Sequence, residues 1–312
     1  MGTPGFAVEP LNTLLDAGCN VVGVITAPDK PAGRGQQLQY SEVKQFALSR
    51  GLHILQPEKL KNPEFIAELA ALRADLQIVV AFRMLPEMVW NMPRLGTFNL
   101  HASLLPRYRG AAPINRVLMN GDTETGVTTF FLQHEIDTGH IAFREALPIG
   151  PAETAGELHD RLMHTGAALV LKTVNAVAEG NCPKVPQQEL VKPGEILPEA
   201  PKLFREDAHI HWSHEPAAII NQIRGLSPYP AAWTELHSEN APVLGLKIFR
   251  AHFEPGVHPW PEGTLVHEAH TLKAAVKQGY IYIDELQAAG KKRMNTADFL
   301  RGYRFQPGSV LK

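Results

Sequence analysis

Gly96-Thr97-Phe98-Asn99-Leu100-His101-Ala102-Ser103-Leu104-Leu105-Pro106-Arg107-Tyr108-Arg109-Gly110 is the stretch around which the chain is organised. Small or apolar residues alternate with polar ones up to His101, so a strand here puts Asn99 and His101 on one face. An amide beside an imidazole suits holding a developing oxyanion and moving a proton at neutral pH. Asp137 follows 36 residues after His101, in an Asp137-Thr138-Gly139 turn behind an extended run rich in Thr and Phe. A carboxylate that reaches the ring fixes the tautomer and stabilises the imidazolium. Spacing leaves another reading equally open: Asn99 and His101 as satisfied polar residues at a strand end, Asp137 as a turn former.

Upstream of this stretch, strands alternate with helical segments. A Gly/Pro turn at residues 1–5 leads into an apolar-periodic segment at 8–15, and the β-branched run 20–26 reads as a buried parallel strand. Ser41 caps a helix to about Arg50, 52–55 form a short strand, and Asn62-Pro63 opens a helix carrying Phe65, Ile66, Leu69 and Leu72. Residues 76–82 are the next strand. This order predicts an α/β fold with a parallel sheet, where ligands bind at the carboxyl ends of strands, and Asn99 and His101 lie at such an end.

Downstream, Thr154-Ala155-Gly156-Glu157 has capping-box spacing. Ala155, Leu158, Leu162, Gly166, Leu169, Thr173 and Val177 then form one stripe of a long helix that ends at Gly180-Asn181. His159 and His164 are five apart and share no face for a metal, so a solvated helix surface is the expectation. Pro183, Pro186, Pro193, Pro198 and Pro201 mark 183–203 as a semi-extended linker between a catalytic domain, 1–182, and a second domain, 204–312. In that second domain short alternating strands surround one helix at 216–224, the pattern of a small β-barrel.

With 312 residues the chain suits about two domains, and 44% hydrophobic and 20% charged residues describe an ordinary globular protein. A net charge of −2 and a pI near 6.7 give no global argument for nucleic-acid or membrane binding, so any basic site is local. Cys19 and Cys182, without metal-ligand spacing, suit a reducing compartment. The apolar runs are too short to span a bilayer and no basic-then-apolar leader is seen, which predicts a cytoplasmic protein.

The run Asn99, His101, Ser103, Leu105, Pro106, followed by Asp137-Thr138-Gly139, resembles the core of the enzymes that use 10-formyltetrahydrofolate. The resemblance implies Asn99, His101 and Asp137 as catalytic residues of a Rossmann-like parallel-sheet formyltransferase domain. It also implies a folate site near Phe82, Arg83, Met84, Leu85, Ser103, Leu104, Pro106 and Thr138, and no metal. The family commonly has Tyr-Gly where this chain has Phe82-Arg83.

Pro28-Asp29-Lys30-Pro31-Ala32-Gly33-Arg34-Gly35 resembles the segment that methionyl-tRNA formyltransferases use to grip the acceptor end of tRNA. This implies methionyl-initiator tRNA as partner, with Lys30 and Arg34 on it, and argues against folate hydrolases and nucleotide-sugar formyltransferases that share the core. Gln36 and Gln37 stand where the family commonly has lysines, implying fewer phosphate contacts. An inactive tRNA-binding homologue is disfavoured by the intact Asn99, His101 and Asp137.

Residues 224–233 and 290–294 resemble the OB-like C-terminal barrel of those enzymes, which supports tRNA. Residues 205–312 carry 12 Lys+Arg against 11 Asp+Glu, so the basic footprint narrows to Lys291, Lys292 and Arg293. Arg107 and Arg109 either meet substrate phosphates or anchor the loop after the strand. No stable protein partner is expected. In the family the Met1-Gly2-Thr3-Pro4 turn follows a short β-branched strand. The expectation is therefore that the strands at 21–25 and 76–82 face a gap, and that the native protein is longer than this sequence.

Overall fold

The computed structural model describes every residue except 33–36, 240, 269 and 307. The chain divides into two units, the first comprising Met1–Gly110, Glu124–Pro148 and His159–Glu199, the second Ala111–Thr123, Ile149–Leu158 and Ala200–Lys312. Among the described residues no helix is long and apolar enough to cross a membrane.

In the first unit, β1 (Val24–Ile25) pairs in parallel with β2 (Ile54–Leu55), and β3 (Gln77–Val80) in parallel with β4 (Thr97–His101). Beyond β4 the sheet turns antiparallel through β5 (Glu124–Phe131) and β6 (Ile141–Pro148), so the predicted parallel sheet carries two antiparallel strands at one edge. β5 is buried on both faces beyond its first residue. Its threonines are tolerated there because they are satisfied: Thr129 Oγ1 meets Thr173 Oγ1 at 2.8 Å, and Thr128 Oγ1 donates to Ser103 O at 2.6 Å.

Helices α1 (Val8–Asp16), α2 (Glu42–Ser49), α3 (Pro63–Ala71) and α4 (Ala155–Ala178) start where the sequence directs. Ser41 Oγ accepts from Lys44 N at 3.1 Å, and Asn62 Oδ1 from Glu64 N at 2.9 Å with Pro63 behind it. Each such cap is worth about 1 kcal/mol. The predicted stripe of α4 is the buried one, with Leu162, Leu169 and Thr173 nearly sealed from solvent. At Gly166 a Cβ would press on Leu100 of β4, so glycine here lets the helix approach the sheet.

The predicted linker behaves differently from a linker up to Glu199. Val185 bridges Ile141, Leu190 packs on Leu105, Phe130 and Ile141, and Tyr108 N donates to Pro198 O at 2.6 Å. The prolines supply extended backbone whose carbonyls and intervening N–H groups complete this unit. The strands at 20–26 and 76–82 are shorter than predicted, β1 and β3 not being neighbours in any sheet among the described residues.

The second unit is built on antiparallel strands β7 (Ala232–His237), β8 (Leu244–Pro255), β9 (Leu265–His267), β10 (Leu272–Val276), β11 (Gly279–Ala288) and β12 (Val310–Leu311). They run in the order β9-β10-β11-β8-β7-β12. A bridge from Thr264 to Val310, with Leu265 N on Ser309 O and Leu311 N on Gly263 O, joins the two edges into a nearly closed barrel. The alternation of β7, buried at every second residue, turns Leu236 into the interior, where it joins Ile248 of β8 and Ile281 and Leu286 of β11. Helix α5 (Pro216–Leu226) buries Ile219, Ile223 and Leu226 in the same core. Residues 210–212, predicted as a strand, form none, and a single bridge before them joins His209 to Trp233.

Candidate active site

At the carboxyl end of β4, His101 is buried and its Nε2 lies 2.8 Å from Tyr108 O. A carbonyl only accepts, so Nε2 carries the proton, and Nδ1 is the ring nitrogen left to face the site. Asp137 Oδ2 stands 3.9 Å from Nδ1, too far for a hydrogen bond, so the carboxylate faces the ring without bonding it. Its carboxylate accepts from Gly110 N at 3.0 Å, which fixes the oxygen on the His101 side. Asn99, on the same face of β4, has a buried Oδ1 with no partner among the described residues. Buried polar atoms are normally satisfied, so an open acceptor on the strand face that carries His101 makes Asn99 a candidate binding group.

The loop from β4 is wound tightly. Ser103 Oγ donates to Arg107 O at 2.7 Å, Leu105 N to Thr128 Oγ1 at 3.1 Å, and Arg144 Nη1 to Leu105 O at 3.0 Å. Tyr108 adopts φ of +60°, turning its carbonyl onto His101. Asp137 also has positive φ, +55°, a conformation an aspartate tolerates better than most residues. At Gly139 a Cβ would collide with Phe131 O, so the turn closes against the strand only with glycine.

Gln187 holds this turn in place. It is wholly buried, and its Nε2 donates to Asp137 O at 2.7 Å and Gly139 O at 2.9 Å. Its Oε1 accepts from Arg109 Nε at 3.0 Å and Nη2 at 2.5 Å. Sequence reasoning missed it. A lone glutamine in a Pro-rich tract carries no periodicity or motif, and only the return of that tract against the loop gives it a role.

The other predicted residues separate into three groups. Asn99, His101 and Asp137 come together, while Ser103 and Thr138 spend their hydroxyls on the backbone, Thr138 Oγ1 on Glu135 O at 3.1 Å. Pro106 is buried and Leu104 half-buried. In the predicted folate loop, Leu85 is core, Phe82 packs on the same cluster, and Arg83 donates to the carbonyls of Glu58, at 2.8 Å, and Pro57. Burial pushes the Arg83 guanidinium pKa down. That leaves Met84 as the exposed member, on the wall of a cavity of about 620 Å³ shared with Leu60, Pro86 and Met88.

Among the basic residues, Arg109 is committed to Gln187 and Arg107 pairs with Glu195 at 3.3 Å, which supports the loop-anchoring reading. Lys30 is exposed in a two-stranded hairpin, and Arg34 lies outside the described residues. Lys291 and Lys292 are exposed, but Arg293 is not a free cation: it forks onto Glu285 at 2.6 Å and stacks over Phe249. Among the described residues no group of three His, Cys, Asp or Glu side chains is placed to hold a metal ion.

An α/β unit with an Asn, His and Asp at a strand end, in a chain that also holds a small barrel unit, defines a transferase class. The family described as formyl transferase matches residues 1–174, and that described as formyl transferase, C-terminal domain, matches 202–304. The chain belongs to the formyl transferase family. It is 58% identical over 307 residues to a protein named methionyl-tRNA formyltransferase from Parabacteroides distasonis, covering 97% of this chain and 94% of that one. A Bacteroides fragilis protein of the same name is 54% identical over 313 residues, covering 100% of this chain and 96% of the relative. Among solved structures, an N-formyltransferase from Helicobacter canadensis superposes with a TM-score of 0.63 at 19% identity, over 94% of this chain and 97% of that one. That last likeness bears on the fold.

Proposed function

We propose that this protein transfers a formyl group from 10-formyltetrahydrofolate to the α-amine of methionyl-initiator tRNA, in the cytoplasm. The observation that carries the reading is the buried His101–Asp137 pair at the carboxyl end of β4 with the Asn99 amide on the same face. The relatives named above supply the acceptor. The α-amine of an aminoacyl ester titrates no higher than a peptide amine, about 7.7–8.0, so a good fraction is neutral near pH 7 and needs no strong base. The amine nitrogen forms a bond to the formyl carbon, and charge develops on the formyl oxygen. The Asn99 amide and the Nδ1–H of protonated His101 are the donors suited to that oxygen. Asp137 faces the imidazole and, through water, takes the proton lost by the amine. Breaking the bond to N10 delivers an electron pair that this proton neutralises. Folate fits the apolar wall at Met84, Leu60 and Met88. Lys30, Arg34, Lys291 and Lys292 are the cations proposed for tRNA phosphates.

The test is to incubate the protein with 10-formyltetrahydrofolate and methionyl-initiator tRNA and assay formylmethionine, with water and an amino sugar nucleotide as competing acceptors. Formylmethionine at turnover rates is the expected product. Release of free formate alone, or formylation of the sugar alone, overturns the reading.

A further inference from the structure

Past β1 the chain leaves the sheet as an antiparallel hairpin with arms Lys30–Ala32 and Gln37–Gln39, and returns at Ser41 to begin α2. Among the described residues the arms pair with each other and with no other strand. Lys30, Leu38 and Tyr40 stand exposed. A two-stranded ribbon of this kind is marginal by itself, so its direction is set at its two feet.

Both feet are tied. At the second, Ser41 Oγ lies 2.8 Å from Thr26 Oγ1 while accepting from Lys44 N, and Gln45 Nε2 donates to Tyr40 O at 3.0 Å. At the first, Asp29 is gripped from two sides. The Lys44 ammonium donates to its Oδ2. Gln56, just past the carboxyl end of β2, donates through Nε2 to Asp29 Oδ1 at 2.9 Å and to Ala27 O at 2.8 Å. The same Lys44 ammonium lies 4.0 Å from the centre of the Tyr40 ring, so one cation clamps both feet. The Lys44 side chain is 13% exposed and that of Asp29 21%, which screens the pair less than an ion pair in open solvent and leaves little of Lys44 for an outside partner.

We propose that, given the tRNA reading of Lys30 above, Lys44 and Gln56 are positioning residues for the tRNA substrate: through Asp29 they fix the hairpin that presents Lys30. An arm ordered before tRNA arrives adds no ordering cost to binding. An arm released from its foot is ordered by the tRNA, which weakens affinity and leaves the formyl-transfer step alone. Charge by itself gives the opposite sign at Asp29. Removing an acid near a phosphate-binding cation strengthens tRNA binding, whereas loss of the clamp weakens it.

Hydrogen exchange and tRNA binding test this on the 312-residue chain and its Asp29→Ala, Lys44→Met, Gln56→Leu and Lys44→Arg variants. Amides of the two arms are expected to exchange at least ~10-fold faster in the first three than in the parent, with amides 98–101 of β4 unchanged as the control for folding. The Kd for methionyl-initiator tRNA, by filter binding, is expected to rise about tenfold in the same three, with kcat and folate KM within about twofold of the parent. Lys44→Arg, whose guanidinium still bonds a carboxylate and stacks on a ring, keeps parental exchange and Kd. Tighter tRNA binding by Asp29→Ala assigns that residue to charge alone and overturns the clamp. So do arms that exchange alike in parent and variants, freed arms with a parental Kd, and losses in kcat and folate KM that match the loss of tRNA affinity. Because Kd is read without turnover, a parent that binds tRNA but forms no formylmethionine refutes the formyl-transfer reading and still decides the clamp. A parent that binds no tRNA overturns both.

Discussion

Gln187 has no part in the proposed chemistry, yet its replacement is expected to disable the enzyme. Gln187→Leu keeps the volume and removes both donated and both accepted hydrogen bonds, leaving the carbonyls of Asp137 and Gly139 and the Arg109 guanidinium facing methyl groups. Neutral bonds contribute about 1 kcal/mol each and stranded buried groups cost more, so the loss comes to about 3–5 kcal/mol. For a unit of this size that lowers Tm by about 8–15 °C. The Asp137 carboxylate keeps its bond to Gly110 N but loses the restraint on its own carbonyl. With the 3.9 Å approach to His101 no longer fixed, kcat is expected to fall about tenfold with little change in KM. Gln187→Glu separates the two halves of the argument: it still accepts from Arg109 but sets a carboxylate against two carbonyls. Scanning calorimetry and single-turnover formylation at saturating substrates are the assays, with Gln187→Glu expected to lose as much kcat as Gln187→Leu. A Gln187→Leu protein within 2 °C and twofold of the parent, or a Gln187→Glu protein with parental kcat, refutes the reasoning.

Other predictions bear on the reaction and on pH. Asn99→Ala and His101→Ala are each expected to lower kcat about 10²–10³-fold, as loss of one oxyanion donor does, His101→Ala also lowering Tm because it strands the Tyr108 carbonyl, and parental turnover in either removes that residue from the mechanism. Arg34→Ala is expected to weaken use of tRNA and reduce its salt dependence while sparing folate affinity, and an equal loss of both misassigns the loop. Glu157 is held down to a pKa of about 2, chiefly by the Thr154 backbone N–H, then by the Thr154 hydroxyl and Arg250. This depressed acid stabilises the fold above its unfolded value of about 4.5 and ceases to do so as pH falls toward 2. Because the side chain is half exposed, the effect is discounted to about 1 kcal/mol, and Glu157→Gln should flatten that limb of the stability curve. The Met1 amine has the opposite sign: its charged form is disfavoured on folding, so stability should rise from pH 5 to pH 8. N-terminal acetylation should abolish that rise, and a persistent slope assigns it to another group.

What the sequence determined by itself was everything set within a turn or a strand. Ser41, Asn62 and the Thr154–Glu157 box mark helix starts because a cap bonds to N–H groups two or three residues away. Asn99 and His101 share a face because strand side chains alternate. The resemblance in residues 98–139 named the family and put Asp137 with the other two. Tertiary structure decided the rest. The tautomer of His101 depends on a Tyr108 carbonyl turned inward by a positive φ, and the pose of Asp137 on a glutamine 50 residues on. The Pro-rich tract looked like a linker because its bonds run to residues far along the chain, where no local pattern records them. The short β1 and β3 make the same point from the other side. Their sequence is that of buried strands, but a strand is defined by its neighbours, and between these two lies a cavity.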